Sequence, residues 1–211
     1  MSKDDWYRNK DWNAQIESDF DTKLKRARDK SQYLRIQASY LSKTHPQIAL
    51  KLLNRYFDLG EHFDLAQAYV DQAKSYLSLG NLNETIKSFK QALVREETYP
   101  NLLTNAYVDL PFFIAVKGID RNYNEALEIL DNNKHRLSFP IDRYKWNAAK
   151  SIIFNSMLSH KDAVKYAKAA IEAAEVKKSG FRYHPKVGLF SKDKTDRHVY
   201  QLVNRIAAGK I

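Results

Sequence analysis

Large apolar residues recur along this chain in two superimposed rhythms. Within stretches of about a dozen residues they fall at i, i+3, i+4 and i+7, the spacing that gathers side chains on one face of an α-helix. The stretches themselves then recur. When "SQYLRIQASYLSKTHPQIALKLLNRYF" is aligned with "AQAYVDQAKSYLSLGNLNETIKSFKQAL", Tyr33 falls on Tyr69, Tyr40 on Tyr76 and Ala49 on Thr85, each pair 36 residues apart. Each unit holds two apolar-periodic stretches separated by turn residues, Ser42 to Pro46 in the first and Gly80-Asn81 in the second. That is the pattern of an αα-hairpin.

Two looser copies follow. "NAYVDLPFFIAVKG" and the residues after it match through Tyr107, Ile114, Gly118, Tyr123, Ala126 and Leu130, with Ile119 to Arg121 as an insertion in the turn. "KWNAAKSIIFNSMLSHKDAVKYAKAAIEAAE" matches through Trp146, Ser151, Phe154, Ala163, Ala167 and Ala170, with Leu158 where the second and third copies have the turn glycine. The anchors Ala49, Thr85, Ala126 and Ala163 are spaced 36, 41 and 37, so the array is irregular. Pro111 removes a backbone donor inside a predicted helix, which predicts a kink or a restart near Leu110.

Both ends read as caps. Asp11 or Asn13 is placed to N-cap a helix whose stripe is Ile16, Phe20, Leu24 and Ala27. Near the other end Val199, Leu202, Val203 and Ile206 form a narrow stripe able to cover the last hairpin, as a terminal repeat requires. The expected layout is a single all-α domain of about ten helices. It comprises a capping helix in 1–30, hairpins at about 31–60, 63–97, 101–134 and 140–176, then a basic connector and capping helix in 177–211.

The second unit sharpens this. Tyr69, Ala73, Tyr76, Gly80, Leu82, Thr85, Phe89 and Ala92 stand at the offsets where tetratricopeptide repeats place their aromatic, small and turn residues. The chain thus resembles a divergent member of that family, which implies a right-handed α-solenoid. In that family the first helix of each hairpin lines a concave groove. Carried over by register, the resemblance places Leu34, Ala38 and Leu41, then Val70, Lys74 and Leu77, then Val108 and Phe112, then Lys145, Ala148 and Ile152 in it. The family's clamp for carboxylate termini needs Lys and Asn where this chain has Ala38 and Leu34, so that subtype is not expected.

Composition narrows the chemistry. The chain has 211 residues, 44% hydrophobic and 28% charged, with no cysteine, which excludes disulfides and thiolate sites. Its N-terminus lacks an apolar core segment and no run is long enough to span a bilayer, so the expectation is a soluble cytoplasmic protein without a membrane partner. No phosphate-cradle, dinucleotide, zincin or nucleophile-elbow motif is present. The six histidines lack the i, i+4 spacing of a helical metal site, so no metal, cofactor or catalytic residue is expected. The net charge is +10, and residues 177–211 carry nine cations against two acids. A second basic cluster, "KLKRARDK", spans Lys23 to Lys30.

The expected function is therefore that of a non-catalytic adaptor, a monomer or weak dimer, holding an acidic peptide or protein in the groove, with carboxylates meeting Lys74 and Lys145. The alternative is an RNA or ribonucleoprotein binder using the basic ends. The segment "SGFRYHPKVG", Ser179 to Gly188, reads as a connector folded back on the last hairpin. In it Gly180 is expected to end the preceding helix, and Phe181 and Tyr183 to pack inward. Arg182, His184 and Lys186 would then form a basic lip.

Overall fold

The computed structural model describes residues 5–191 and 197–210. Among them are ten α-helices and no strand. They fall into two compact units, Met1–Ala106 and Tyr107–Ile211.

In the first unit α1 (Ala14–Arg26) begins where Asn13 accepts a hydrogen bond from the Ile16 amide at 2.9 Å, so Asn13 and not Asp11 is the cap. It buries Phe20 and Leu24 of the predicted stripe. Then come α2 (Lys30–Leu41) and α3 (Pro46–Phe57), and after them α4 (Leu65–Ser78) and α5 (Leu82–Thr98). Each of these two pairs packs together, and α4 also packs on α2 and α3. Small residues allow the close approach: Ala38, Ala49, Ala68, Ala73 and Ala92 are wholly buried.

Residues 5–13 lie over this core in an arrangement that the periodicity does not announce. The rings of Trp6 and Tyr7 meet Tyr33 at 4.9 and 4.6 Å, and Trp12 meets Phe20 at 5.6 Å. Gln37, fully buried on α2, accepts from the Asn9 amide at 3.0 Å and from its side-chain NH2 at 2.9 Å, and donates to the Asn9 carbonyl at 2.8 Å.

The second unit contains α6 (Ala106–Lys117), apart from its first residue, and α7 (Tyr123–Asn132), α8 (Pro140–Ser156), α9 (His160–Glu175) and α10 (Arg197–Ala207). The helix α6 continues through Pro111 to Lys117, so the restart expected near Leu110 does not occur. Pro111 lies in the second turn, where a single backbone amide is missing from the helix. The insertion at Ile119 to Arg121 overlaps a 3-10 turn, Asp120–Asn122. The helices α8 and α9 pair, and α10 covers both with Val199, Val203 and Ile206 buried.

Three hairpin turns share one stereochemical device. Gly80, Gly118 and Leu158, aligned above as the turn position, have φ of +73°, +64° and +62°. In each case the next amide reaches back to a carbonyl five residues earlier: Asn81 to Tyr76, Ile119 to Ile114 and Ser159 to Phe154. Leu158 is the single non-glycine with positive φ among the described residues, and it is 76% exposed. Leu158→Gly should therefore raise the unfolding free energy by about 1 kcal/mol, since a left-handed L-residue costs ~1–2 kcal/mol and little burial is lost. Urea denaturation of the two proteins measures the difference.

Candidate functional site

The residues assigned to the groove divide sharply. In the first unit Leu34, Ala38, Leu41 and Val70 are at most 2% exposed and belong to the hairpin core, whereas Lys74 is half-buried and Leu77 is exposed. In the second unit Val108 and Ala148 are fully buried and Ile152 is 6% exposed, while Phe112 and Lys145 are half-buried. Of the residues assigned to the groove, Lys74 and Leu77 in the first unit and Phe112 and Lys145 in the second keep accessible surface. The physical reason is that positions facing a packed neighbouring helix fill the space between helices and have nothing left for a partner.

The charges of these inner helices are also largely committed. Arg35 on α2 pairs with Asp64 and, at 3.2 Å, with Asp71 on α4. Asp64 accepts from the Tyr56 hydroxyl at 2.7 Å, and Asp71 accepts from Gln67 at 3.2 Å. In the second unit Lys145 on α8 meets Asp109 on α6 at 2.6 Å. The two pairs, Arg35/Asp71 and Asp109/Lys145, are each 36 residues apart in the chain; Arg35, Asp71 and Asp109 fall on one position of the repeat, whereas Lys145 lies about one helical turn earlier in the fourth copy. Asp71 and Asp109 are not among the expected site residues, although each has an opposite charge 36 residues away in the chain, Arg35 and Lys145.

Asp71 is only 3% exposed, and burial pushes its carboxyl above the usual carboxylate range despite Lys74, Arg35 and Gln67. A raised folded-state value means that the native protein holds this proton where the unfolded chain has released it. The contribution of Asp71 is therefore full below the ordinary carboxylate value and is lost as pH rises through the folded one. Relative to Asp71→Asn, the wild type should lose stability between about pH 4 and neutrality. Urea melts of both proteins across that window check the sign; a relative gain would mean that the ion pair dominates desolvation.

Among the described residues three surfaces combine exposed apolar or aromatic side chains with cations. At the α4–α5 turn, Leu77, Leu79 and Leu82 are 36%, 42% and 38% exposed beside Lys74, whose nearest acid is Asp71 at 4.0 Å. A cleft of about 1040 Å³ opens where the α1–α2 junction faces the α3–α4 connection, with Arg28, Lys30, Leu59, His62 and the 78% exposed Phe63 on its walls. Asp29 and Asp64 share that cleft, and Asp29 accepts from the Gln32 amide as the cap of α2. Its cations therefore do not act alone.

The third surface is the segment from Ser179 to Gly188. It is a turn closed on itself: the Ser179 amide donates to the Pro185 carbonyl at 2.8 Å, its hydroxyl to the His184 carbonyl at 2.8 Å, and the His184 amide to the Phe181 carbonyl at 3.1 Å. Two ties hold it to the start of α8. The Ile141 amide donates to the Gly188 carbonyl at 2.9 Å, and Phe181 stacks on Phe139 at 5.1 Å. Further on, Phe190 packs on Tyr144 at 4.3 Å.

Two expectations are corrected here. α9 ends at Glu175 with an extended Val176, and the left-handed glycine is Gly188, φ +67°, rather than Gly180. Tyr183 does not pack inward with Phe181 but is 80% exposed, because a turn does not keep the two-residue alternation of an extended strand. Arg182, His184 and Lys186 are exposed, as a lip would be.

Among the described residues no helix is long and apolar enough to cross a membrane, and no cluster of three or more His, Asp or Glu is placed to hold a metal ion. No protein-family model matches the chain, and neither a curated protein nor a solved structure is significantly similar to it.

Proposed function

We propose that the chain is a non-catalytic, cytoplasmic adaptor of the tetratricopeptide-repeat kind, its hairpins forming a right-handed solenoid, and that it binds an amphipathic acidic segment of a partner protein. The repeat spacing, the paired helices and the shared turn device at Gly80, Gly118 and Leu158 support the family reading. The observation that carries the binding reading is the cluster of three exposed leucines beside Lys74 at the α4–α5 turn. Exposed leucines so close together form an apolar patch suited to a partner, and Lys74 supplies a cation for its carboxylate.

The test begins with crosslinking in the native cell. The recovered partner is then remade, purified and titrated against wild type and a Lys74→Glu, Leu77→Glu double variant. A loss of about thirty-fold or more, equivalent to the ~2 kcal/mol of a hot spot, is expected with unchanged helicity. Equal affinity in a folded variant would overturn the assignment.

A further inference from the structure

Beyond the adaptor reading, and independently of the leucine cluster, we propose that the turn Ser179–Gly188 is a contact site for single-stranded nucleic acid. From Val176 through Ser191 the chain has no acidic residue, and it presents Lys177, Lys178, Arg182 and Lys186, all exposed, together with exposed His184. Among the described residues none of these four cations has an ion-pair partner. Tyr183 stands among them 80% exposed, its ring 5.5 Å from the Arg182 guanidinium. Cations that follow a phosphate backbone, with an aromatic face on which any base can stack, are what single strands need from a protein.

The brace makes this more than a loose basic tail. Ser179, Phe181 and Gly188 hold the backbone by the bonds described above, so Tyr183 and Arg182 are displayed with little ordering left to be lost on binding. A bilayer is the weaker match, because Phe181, the more apolar of the two rings, is turned back onto Phe139 instead of being presented for insertion.

The experiment titrates the full chain into a fluorescent oligouridine of about 12 nucleotides, a length within the usual span of such sites. If the four cations meet phosphates, the slope of log affinity against log salt is roughly −3, or about fifty-fold between 50 and 200 mM salt. Tyr183→Leu should weaken binding at least five-fold while Tyr183→Phe keeps it within two-fold, as loss of one stacked base predicts. Arg182→Ala with Lys186→Ala should roughly halve the salt slope. These side chains are exposed, so thermal melting serves as the folding control and should not move. Oligothymidylate run in parallel decides whether RNA or DNA binds more tightly. The proposal is overturned if wild type does not bind either strand at 50 mM salt, if Tyr183→Leu binds like wild type, or if only phosphatidylserine vesicles are bound.

Discussion

Gly188→Ala is expected to lower the unfolding free energy by about 3 kcal/mol, combining ~1–2 kcal/mol for a left-handed L-residue with ~1–3 kcal/mol for overpacking. The second contribution is visible as geometry: a Cβ at Gly188 would lie 2.1 Å from Phe139 Cδ1, inside the ring that Phe181 stacks upon. Moving Phe139 aside would break that stack, and moving Gly188 would break its bond to Ile141. Urea denaturation gives the loss, and faster tryptic cleavage after Arg182 and Lys186 would show where it falls. Gly180→Ala is the internal control, because nothing lies within 4 Å of a Cβ there and the backbone is not left-handed. A Gly188→Ala protein as stable as the Gly180→Ala one would mean that the turn is not held as described.

Gln37→Leu should cost about 2 kcal/mol, although it replaces a buried polar side chain with an apolar one of similar size. The loss arises at Asn9, whose amide, side-chain NH2 and carbonyl all bond to Gln37 and would be left in a partly buried place without it. The segment before α1 would then loosen, uncovering Trp6 and Trp12. A red-shifted tryptophan emission at low denaturant, ahead of the loss of helicity, is the signature. Simultaneous loss of both signals at wild-type midpoint would contradict this account.

Helix positions and the pairing of α2 with α3, α4 with α5 and α8 with α9 were legible because they depend on short-range periodicity and on a repeat that can be counted. Leu158 was flagged by its place in the alignment alone, and its backbone adopts the glycine conformation. What could not be read was the outcome of competition between positions of like character. Val70 and Leu77 are both apolar on the same predicted helix, and only the packing of the neighbouring hairpin decides that one is buried and the other exposed. The Asn9–Gln37 clasp joins residues 28 apart and follows no period, so no pattern in the sequence marks it. Tyr183 departs from the extended-chain rule that fits Phe181, because the Ser179 hydrogen bonds hold the segment as a turn.

The opposite charges that α2 and α4 carry at one position of the sequence repeat bear on how the chain avoids assembling wrongly. Helix pairs built alike invite exchange between molecules during folding, because the face that docks one pair can accept its counterpart from another chain. Here α2 carries Arg35 and α4 carries Asp71 at the same repeat position, so the correct neighbours attract across their contact. Two copies of α4 brought together in the same register would instead set Asp71 against Asp71 in a place with almost no water, and two copies of α2 would oppose Arg35 to Arg35. The pair adds little to net stability once desolvation is counted, yet it penalises that wrong partnership between chains.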